Sequence, residues 1–208
     1  MSAVMSTPPV PDAAPAERRH AVILCVELRG LANVAEVLDP GVVLALLSDF
    51  LNFAVEAIAA HDGETFSAHH DTLLAAFGRG NPMQAAQAAV RAAQRIQKRF
   101  PAMAEVWRQG HGVRTAVAQG LHLGEVVFGT AGARGLERRV AFGDAVTLAR
   151  SILGRARAGE FIMTDAVMGA LSLENLDLDT EPLPPFQIGR RHPIRIYGVV
   201  LSARLDFT

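Results

Sequence analysis

Hydrophobic and polar residues follow two different periods along this chain, and each change of period marks a new element. Residues 21–26, AVILCV, form an unbroken apolar and β-prone run, which predicts a central strand covered on both faces. Asp39 and Pro40 then supply an N-cap and a proline for the first helical turn, and apolar residues recur three and four positions apart after them. This pattern predicts a long amphipathic helix that ends at residues 61–63.

The remaining pattern alternates strands with helices. Residues 64–67 and 72–77 predict a hairpin with the sequence AHHD at its turn, and Asn81-Pro82 begins a second helix whose apolar stripe reaches Phe100. Further strands are predicted at 113–121, 124–129, 160–164 and 194–200, with a helix from about 144 to 157. The order indicates an α+β fold in which helices pack on a mixed or antiparallel sheet.

Composition bounds the organisation of the chain. With 208 residues, 50% of them hydrophobic, one domain with a good core is expected. The first 19 residues are rich in Pro and Ala and lack the pattern of a secretory signal, which predicts a disordered leader at 1–19. The domain is expected at 20–203 and a short tail at 204–208.

Charge and cysteine content exclude some functions. A formal net charge of −1 gives no general basic field, so we expect no nucleic-acid partner. Charged residues interrupt the apolar stretches before the roughly 18 residues of a membrane span, so no membrane is expected. Cys25 is the single cysteine, which excludes an intrachain disulfide and favours a reducing, cytoplasmic location.

Seven segments, taken in order, resemble the catalytic domain of class III nucleotidyl (adenylate and guanylate) cyclases. The resemblance covers residues 20 to about 200, and the ordered set is far more specific than any one segment. The segments are CVELRG, LDPGVV, HDGETFSAHHDTLLAAFG, GLHLGEVVFG, AFGDAVTLARS, GEFIMTDAV and RRHPIRIY.

This resemblance implies a ferredoxin-like βαββαβ core with added strands and helices, working as a head-to-tail dimer with active sites between the subunits. In such enzymes two carboxylates hold two divalent metals that activate the 3′-hydroxyl and bind the triphosphate. A lysine and an aspartate or threonine read the purine, an asparagine positions the ribose, and an arginine neutralises charge at the α-phosphate.

The metal-binding half of that site is partly retained. The two metal carboxylates fall on Glu27, in place of an aspartate, and on Asp71. The glycine before the second carboxylate has become His70, and the purine-reading lysine falls on Ser67. Mg²⁺ or Mn²⁺ would be the expected cofactor if this carboxylate pair is functional, and otherwise no cofactor is expected.

The other half of the site lacks its catalytic side chains. The second purine-reading position falls on Val140, the ribose asparagine on Thr147 and the phosphate arginine on Ser151. Arg150 is adjacent, but the match runs without a gap from 143 to 164, and on a helix Arg150 points about 100° away from position 151. Because a catalytic arginine is worth about 10³ to 10⁵ in rate, a homodimer should be a very poor cyclase.

The AHHD turn has two interpretations. In one, Glu27 and Asp71 lie side by side and His70 adds a nitrogen ligand, a set that would suit Mn²⁺ or Zn²⁺ better than Mg²⁺. In the other, His69 and His70 are exposed hairpin residues and the two acids are relics. Adjacent side chains on a strand point to opposite faces, so only one histidine could join the acids, and the second interpretation is favoured.

Three functions follow from this pattern. The first is a degenerate cyclase homology domain without catalytic activity, acting as a dimerising regulatory or interaction module. The second is a cyclase subunit, a phosphorus–oxygen lyase if active, that supplies metal carboxylates to a complementary partner. The third is a nucleotide or metal sensor without turnover. The expected partner is a second copy, with an active cyclase or another signalling protein as the alternative.

Overall fold

A computed structural model describes residues 16–171, 178–189 and 191–200 of the chain. Eight strands and five helices lie in these ranges. In chain order they are β1 (Glu17–Arg29), α1 (Leu31–Val37), α2 (Pro40–Ala59), β2 (Glu64–His69), β3 (Thr72–Phe77), α3 (Pro82–His111), β4 (Ala116–Ala131), β5 (Arg138–Phe142), α4 (Asp144–Leu153), β6 (Glu160–Thr164), α5 (Asp165–Ala170), β7 (Glu181–Phe186) and β8 (Ile194–Val200).

One sheet organises the molecule. Its strand order is β2-β3-β1-β4-β6-β8-β7, and β5 pairs with β4 away from this row. The first four strands, read as β4-β1-β3-β2, pair antiparallel throughout and are joined through α2 and α3. This is the predicted ferredoxin-like βαββαβ core with added elements, and the α+β prediction is confirmed.

The side chains of β1 alternate between two apolar layers. Val22, Leu24 and Val26 belong to the cluster packed against α2 and α3, whereas Ile23 and Cys25 belong to the cluster packed against α4. All five are fully buried. The unbroken apolar run therefore has the meaning predicted for it, a strand covered on both faces.

A glycine sets how closely α4 approaches the sheet. A Cβ added to Gly120 of β4 would lie 2.5 Å from the Leu153 backbone nitrogen and 2.6 Å from the Ala149 carbonyl oxygen. Without that carbon, the helix backbone packs directly on the strand. This contact brings the α4 residues predicted to be part of the active site against the β1–β4 region of the sheet.

Several predicted boundaries are wrong. α3 extends beyond the predicted apolar stripe, from Phe100 through Pro101 to His111. The added turns bury Trp107, whose ring contacts the Phe100 ring edge-on at a centroid distance of 5.8 Å. The strands predicted at 113–121 and 124–129 are one strand, β4. α4 ends at Leu153 rather than near 157, and α1, α5 and β7 were not predicted.

The start of the domain also differs from the prediction. β1 begins at Glu17, inside the predicted leader, and residues 17–19 pair with β4 opposite Val126, Val127 and Phe128. Ordered structure therefore starts at least three residues before position 20. The leader up to residue 15, the predicted domain end at 201–203 and the tail at 204–208 lie outside the described residues.

Helix α2 begins at Pro40 as predicted and ends at Ala59, two residues before the predicted end at 61–63. It has the length and composition to cross a membrane, with a mean hydropathy of 1.9 over its most apolar window. Asp49 and Glu56, taken above as interruptions, do not exclude it from that class. Within the described structure 28% of that window is buried, and the buried part includes Phe50, Ala54 and Ile58, which pack in the core.

Candidate active site between the β2–β3 hairpin and α4

A pocket of about 600 Å³ opens between the β2–β3 hairpin and α4. The hairpin supplies most of its wall and α4 supplies the opposite side. Its lining residues are Ser67, His69, His70, Asp71, Thr72, Arg150 and Leu153. Three positions predicted from the sequence, at 67, 70 and 71, therefore meet at one pocket.

Strand register explains which side chains lie on the α4 side of the sheet. Glu27 continues the row of Ile23 and Cys25 along β1, since alternate residues share a face. Its neighbours in register are Thr72 on β3 and Ala118 on β4. The small Ala118 leaves space beside the Glu27 carboxylate.

Glu27 already has a cationic partner. The Arg29 guanidinium donates from Nη1 to Glu27 Oε1 at 2.5 Å and from Nη2 to the carbonyl oxygens of Leu153 and Ala156 at 3.0 and 3.3 Å. Burial raises the pKa of Glu27, Arg29 opposes that shift, and the charge of Asp71 adds to it. The carboxylate is thus half-buried and bonded to an arginine of its own strand.

Asp71 lies at the turn rather than on a strand. Its carbonyl oxygen accepts a hydrogen bond from the Leu28 backbone N–H at 2.9 Å, and its Oδ1 accepts one from the Thr72 hydroxyl at 3.2 Å. The two predicted metal carboxylates are therefore close enough to interact electrostatically. The fit to a divalent metal is nevertheless poor, because Arg29 already occupies one oxygen of Glu27.

The two histidines differ in backbone conformation. His69 is the last residue of β2 and lies opposite Thr72, whereas His70 adopts the left-handed region with φ 50°. Their Nδ1 atoms lie 2.6 Å apart, and both residues are exposed. Among the described residues, no three His, Cys, Asp or Glu side chains form a group that could hold a metal ion.

The helix side of the site carries short side chains. Ser151, at the position of the phosphate arginine, donates its hydroxyl hydrogen to the Thr147 carbonyl oxygen at 2.9 Å. Thr147 itself is exposed. Val140 lies on β5 opposite Gly129 and is half-buried. None of these three side chains carries a charge or a group that could replace the arginine.

Two arginines of this region were missed or set aside by sequence reasoning. Arg29 follows Glu27 by two residues and therefore shares its face, a signal visible in the sequence. Arg150 was excluded as the phosphate arginine, yet it lines the pocket. Burial raises the pKa of Cys25 to about 12, although the charge of Arg150 opposes that rise, so the thiol stays protonated at neutral pH.

Comparison with solved structures identifies the fold. The adenylyl cyclase CyaB from P. aeruginosa matches 92% of this chain and 98% of its own, with a TM-score of 0.84 at 21% identity. The guanylyl cyclase Cya2 matches 88% and 93% with a TM-score of 0.77 at 22% identity. The fold is that of the class III cyclases. A guanylyl cyclase domain from Blastocladiella emersonii, described as a non-canonical dimer, shares it, with a TM-score of 0.73 at 16% identity over 89% of this chain and 98% of its own.

Curated relatives agree with this cyclase resemblance at the sequence level. Adenylate cyclase 1 of Rhizobium meliloti (strain 1021) is 26% identical over 138 residues, which cover 66% of this chain and 21% of that protein. An adenylate cyclase of Anabaena cylindrica is 29% identical over 160 residues, or 76% of this chain and 32% of its own length. The chain thus matches about a fifth to a third of these proteins, and no protein-family model matches it.

Proposed function

We propose that this cyclase homology domain is catalytically inactive by itself and serves as a cytoplasmic, dimerising regulatory module. The observation that carries the proposal is the contact between Ser151 and Thr147. At the position where the resemblance calls for a phosphate arginine, a short neutral side chain turns back onto the backbone of its own helix. It offers no positive charge to a triphosphate.

The size of this effect decides the proposal. An arginine that stabilises the transition state of phosphoryl transfer contributes about 10³ to 10⁵ in rate, which corresponds to roughly 4 to 7 kcal/mol of barrier. A serine hydroxyl cannot supply that charge. Val140 has no polar group that could orient a purine, and Thr147 offers a short hydroxyl in place of the asparagine amide that would position a ribose; orientation contributes further kcal/mol of its own.

The arrangement of the carboxylates argues against the composite-enzyme alternative. A subunit that supplied metal carboxylates to a partner would need both acids free for metal ions. Glu27 is instead bonded to Arg29, and the half-buried Asp71 accepts a hydrogen bond from the Thr72 hydroxyl. The regulatory proposal requires neither acid to bind a metal.

Exposed apolar side chains support the dimeric part of the proposal. Phe142 at the end of β5 is 75% exposed and Leu136, in the loop between β4 and β5, is 67% exposed. Both lie in the segment that leads into and through β5, and exposed apolar side chains that cluster favour contact with another protein surface. A second copy of this chain is the proposed partner; the B. emersonii domain, which shares the fold, is described as a non-canonical dimer.

Turnover measurements test the proposal directly. The purified full chain is incubated with ATP or GTP and either Mg²⁺ or Mn²⁺, and cyclic nucleotide is quantified by mass spectrometry. We expect no cyclic AMP or cyclic GMP above the level of a protein-free control. Turnover at a rate ordinary for enzymes, about 1 s⁻¹ or more, that Asp71→Ala abolishes would show the proposal to be wrong.

A further inference from the structure

Arg29 occupies a particular place in the site, set by strand periodicity. It lies two residues after Glu27 on β1, so both side chains point toward α4. In register it faces Ala116 of β4, whose small side chain leaves the space open. The next residue, Gly30, has φ 91°, and the chain turns away from the sheet there, so Arg29 is the last β1 side chain on this face.

Three acceptors hold the Arg29 guanidinium. One is the anionic Glu27 carboxylate, and two are the carbonyl oxygens of Leu153 and Ala156 at and just beyond the end of α4. The carbonyl end of a helix carries a partial negative charge, so all three acceptors favour a cation. Arg29 and Glu27 side chains are only 29% and 21% exposed, which strengthens their interaction relative to a surface pair.

A divalent metal would meet two obstacles at this position. Mg²⁺ needs carboxylate oxygens at about 2.0–2.1 Å, and Glu27 Oε1 is already in contact with Arg29 Nη1. The guanidinium is also a fixed positive charge, which repels a second cation at short range. The carboxylate charge that a metal would neutralise is already neutralised.

We propose that Arg29 is a built-in cation that takes the place of a divalent metal at Glu27 and fastens β1 to the end of α4. The arginine then makes this site independent of metal ions. Replacing it with a neutral residue should uncover a divalent-metal site formed by Glu27 and Asp71. The inference uses the same two acids as the proposed function, but it concerns metal binding and does not depend on turnover.

Metal titration of variants tests this inference. Mn²⁺ alone is the probe, and its binding is followed by loss of the free-ion electron paramagnetic resonance signal and by thermal melting. Arg29→Gln removes the charge but keeps a donor for the Leu153 carbonyl, and we expect it to bind Mn²⁺ at least about tenfold more tightly than the wild type, because a repelling charge is removed. Glu27→Gln added to that variant should abolish the gain.

Two further variants serve as controls. Arg29→Lys keeps the positive charge and should remain as insensitive to Mn²⁺ as the wild type. Arg150→Gln removes the other arginine that lines the pocket and should give no gain, since Arg150 does not contact Glu27. An equal gain in Arg150→Gln would overturn the specific role of Arg29, and so would the absence of any gain in a folded Arg29→Gln protein.

A measurement on the unmodified chain covers the case in which Arg29→Gln does not fold. In ¹H–¹⁵N NMR spectra, Mn²⁺ at a concentration near that of the protein should leave the amide signals of Glu27, Asp71 and Thr72 unbroadened. Selective broadening of these signals would refute the inference. Selective broadening in a protein that shows no turnover would refute this inference but not the proposed lack of activity. Turnover in a protein that binds no Mn²⁺ at Glu27 would refute only the proposed function.

Discussion

The substitution Gly120→Ala tests how the sheet positions α4. The backbone φ of Gly120 is not positive, so alanine can adopt it. The added methyl group therefore acts by steric contact alone. It would lie 2.5 Å from Leu153 N, 2.6 Å from Ala149 O and 2.9 Å from Leu153 Cα. All three are backbone atoms of α4, and none can move by side-chain rotation.

The cost follows from the shift that this methyl group requires. Carbon atoms rest at about 3.5–4.0 Å from their neighbours, so α4 must move outward by about 1 Å. Overpacking of this kind costs about 1–3 kcal/mol, and we expect the upper half of that range because the contact is with backbone. For a domain of this size the melting temperature should fall by roughly 4–12 °C.

Urea denaturation followed by far-UV circular dichroism gives the free energy of unfolding. The matched control is Gly129→Ala on the same strand, where the new methyl group would have only Ala16 atoms at 3.8 Å. That control should stay within about 0.5 kcal/mol of the wild type. If both variants unfold at the same urea concentration as the wild type, the proposed role of Gly120 in setting the α4 distance is refuted.

Two further predictions concern assembly and pH. In light scattering at micromolar concentrations, the wild type should have the mass of a dimer and Phe142→Asp the mass of a monomer. The control is Val106→Asp on α3, which changes a residue that is 66% exposed and should remain dimeric. A monomeric wild type would contradict this prediction. Burial lowers the pKa of His122 below its usual value of 6.5. As the pH falls through 6.5, the unfolded state therefore binds more protons than the folded state, and the free energy of unfolding should decrease. His122→Gln should reduce that decrease in urea denaturation between pH 7.5 and 5.5 without removing it, because burial also lowers the pKa of His61; an unchanged pH dependence would contradict the assignment.

Periodicity was sufficient for the core elements because their burial is simple. β1 is apolar on both faces, and its unbroken apolar run predicts a buried strand. α2 is apolar on one face, and its apolar residues three and four positions apart predict an amphipathic helix. β7 was missed because Pro182, Pro184 and Pro185 argue against a strand. It lies at the edge of the sheet, where a proline, which has no N–H, can face solvent without losing a hydrogen bond to a neighbouring strand. The position of a strand in its sheet cannot be obtained from local sequence.

The same limit applies to the strand predicted to break near Gly124. A glycine between two apolar runs is typical of a turn, but in the structure Gly124 pairs with Ala21 within a continuous β4. A Cβ at this position would lie 3.0 Å from the Ala145 Cβ. The glycine is needed for the approach of α4, a contact between elements 21 residues apart that no local pattern reveals.

Motif order pointed to Asp71, which lines the pocket, and to Glu27, which is in register with the lining residue Thr72, but it could not assign the partners of these acids. Glu27 was assigned from the metal aspartate that it replaces, and the resemblance gave no role to Arg29, two positions later. The choice between His69 and His70 also required the turn geometry: His69 is the strand residue in register with Thr72, whereas His70 has a positive φ. A one-residue difference in a hairpin turn decides which histidine continues the strand row.

Burial explains why a partner is needed at Glu27 but not at the other site positions. Thr147 is exposed and Ser151 satisfies its own hydroxyl group, so neutral side chains at these positions leave no polar group without a partner. Glu27 is half-buried, and an ionised carboxylate in such surroundings needs a neighbouring cation. The cation can be a bound metal or a side chain, and in this chain Arg29 supplies it from the same strand. A domain with this arrangement can keep its acidic residue and its fold in the absence of the metal ion that the family's chemistry requires.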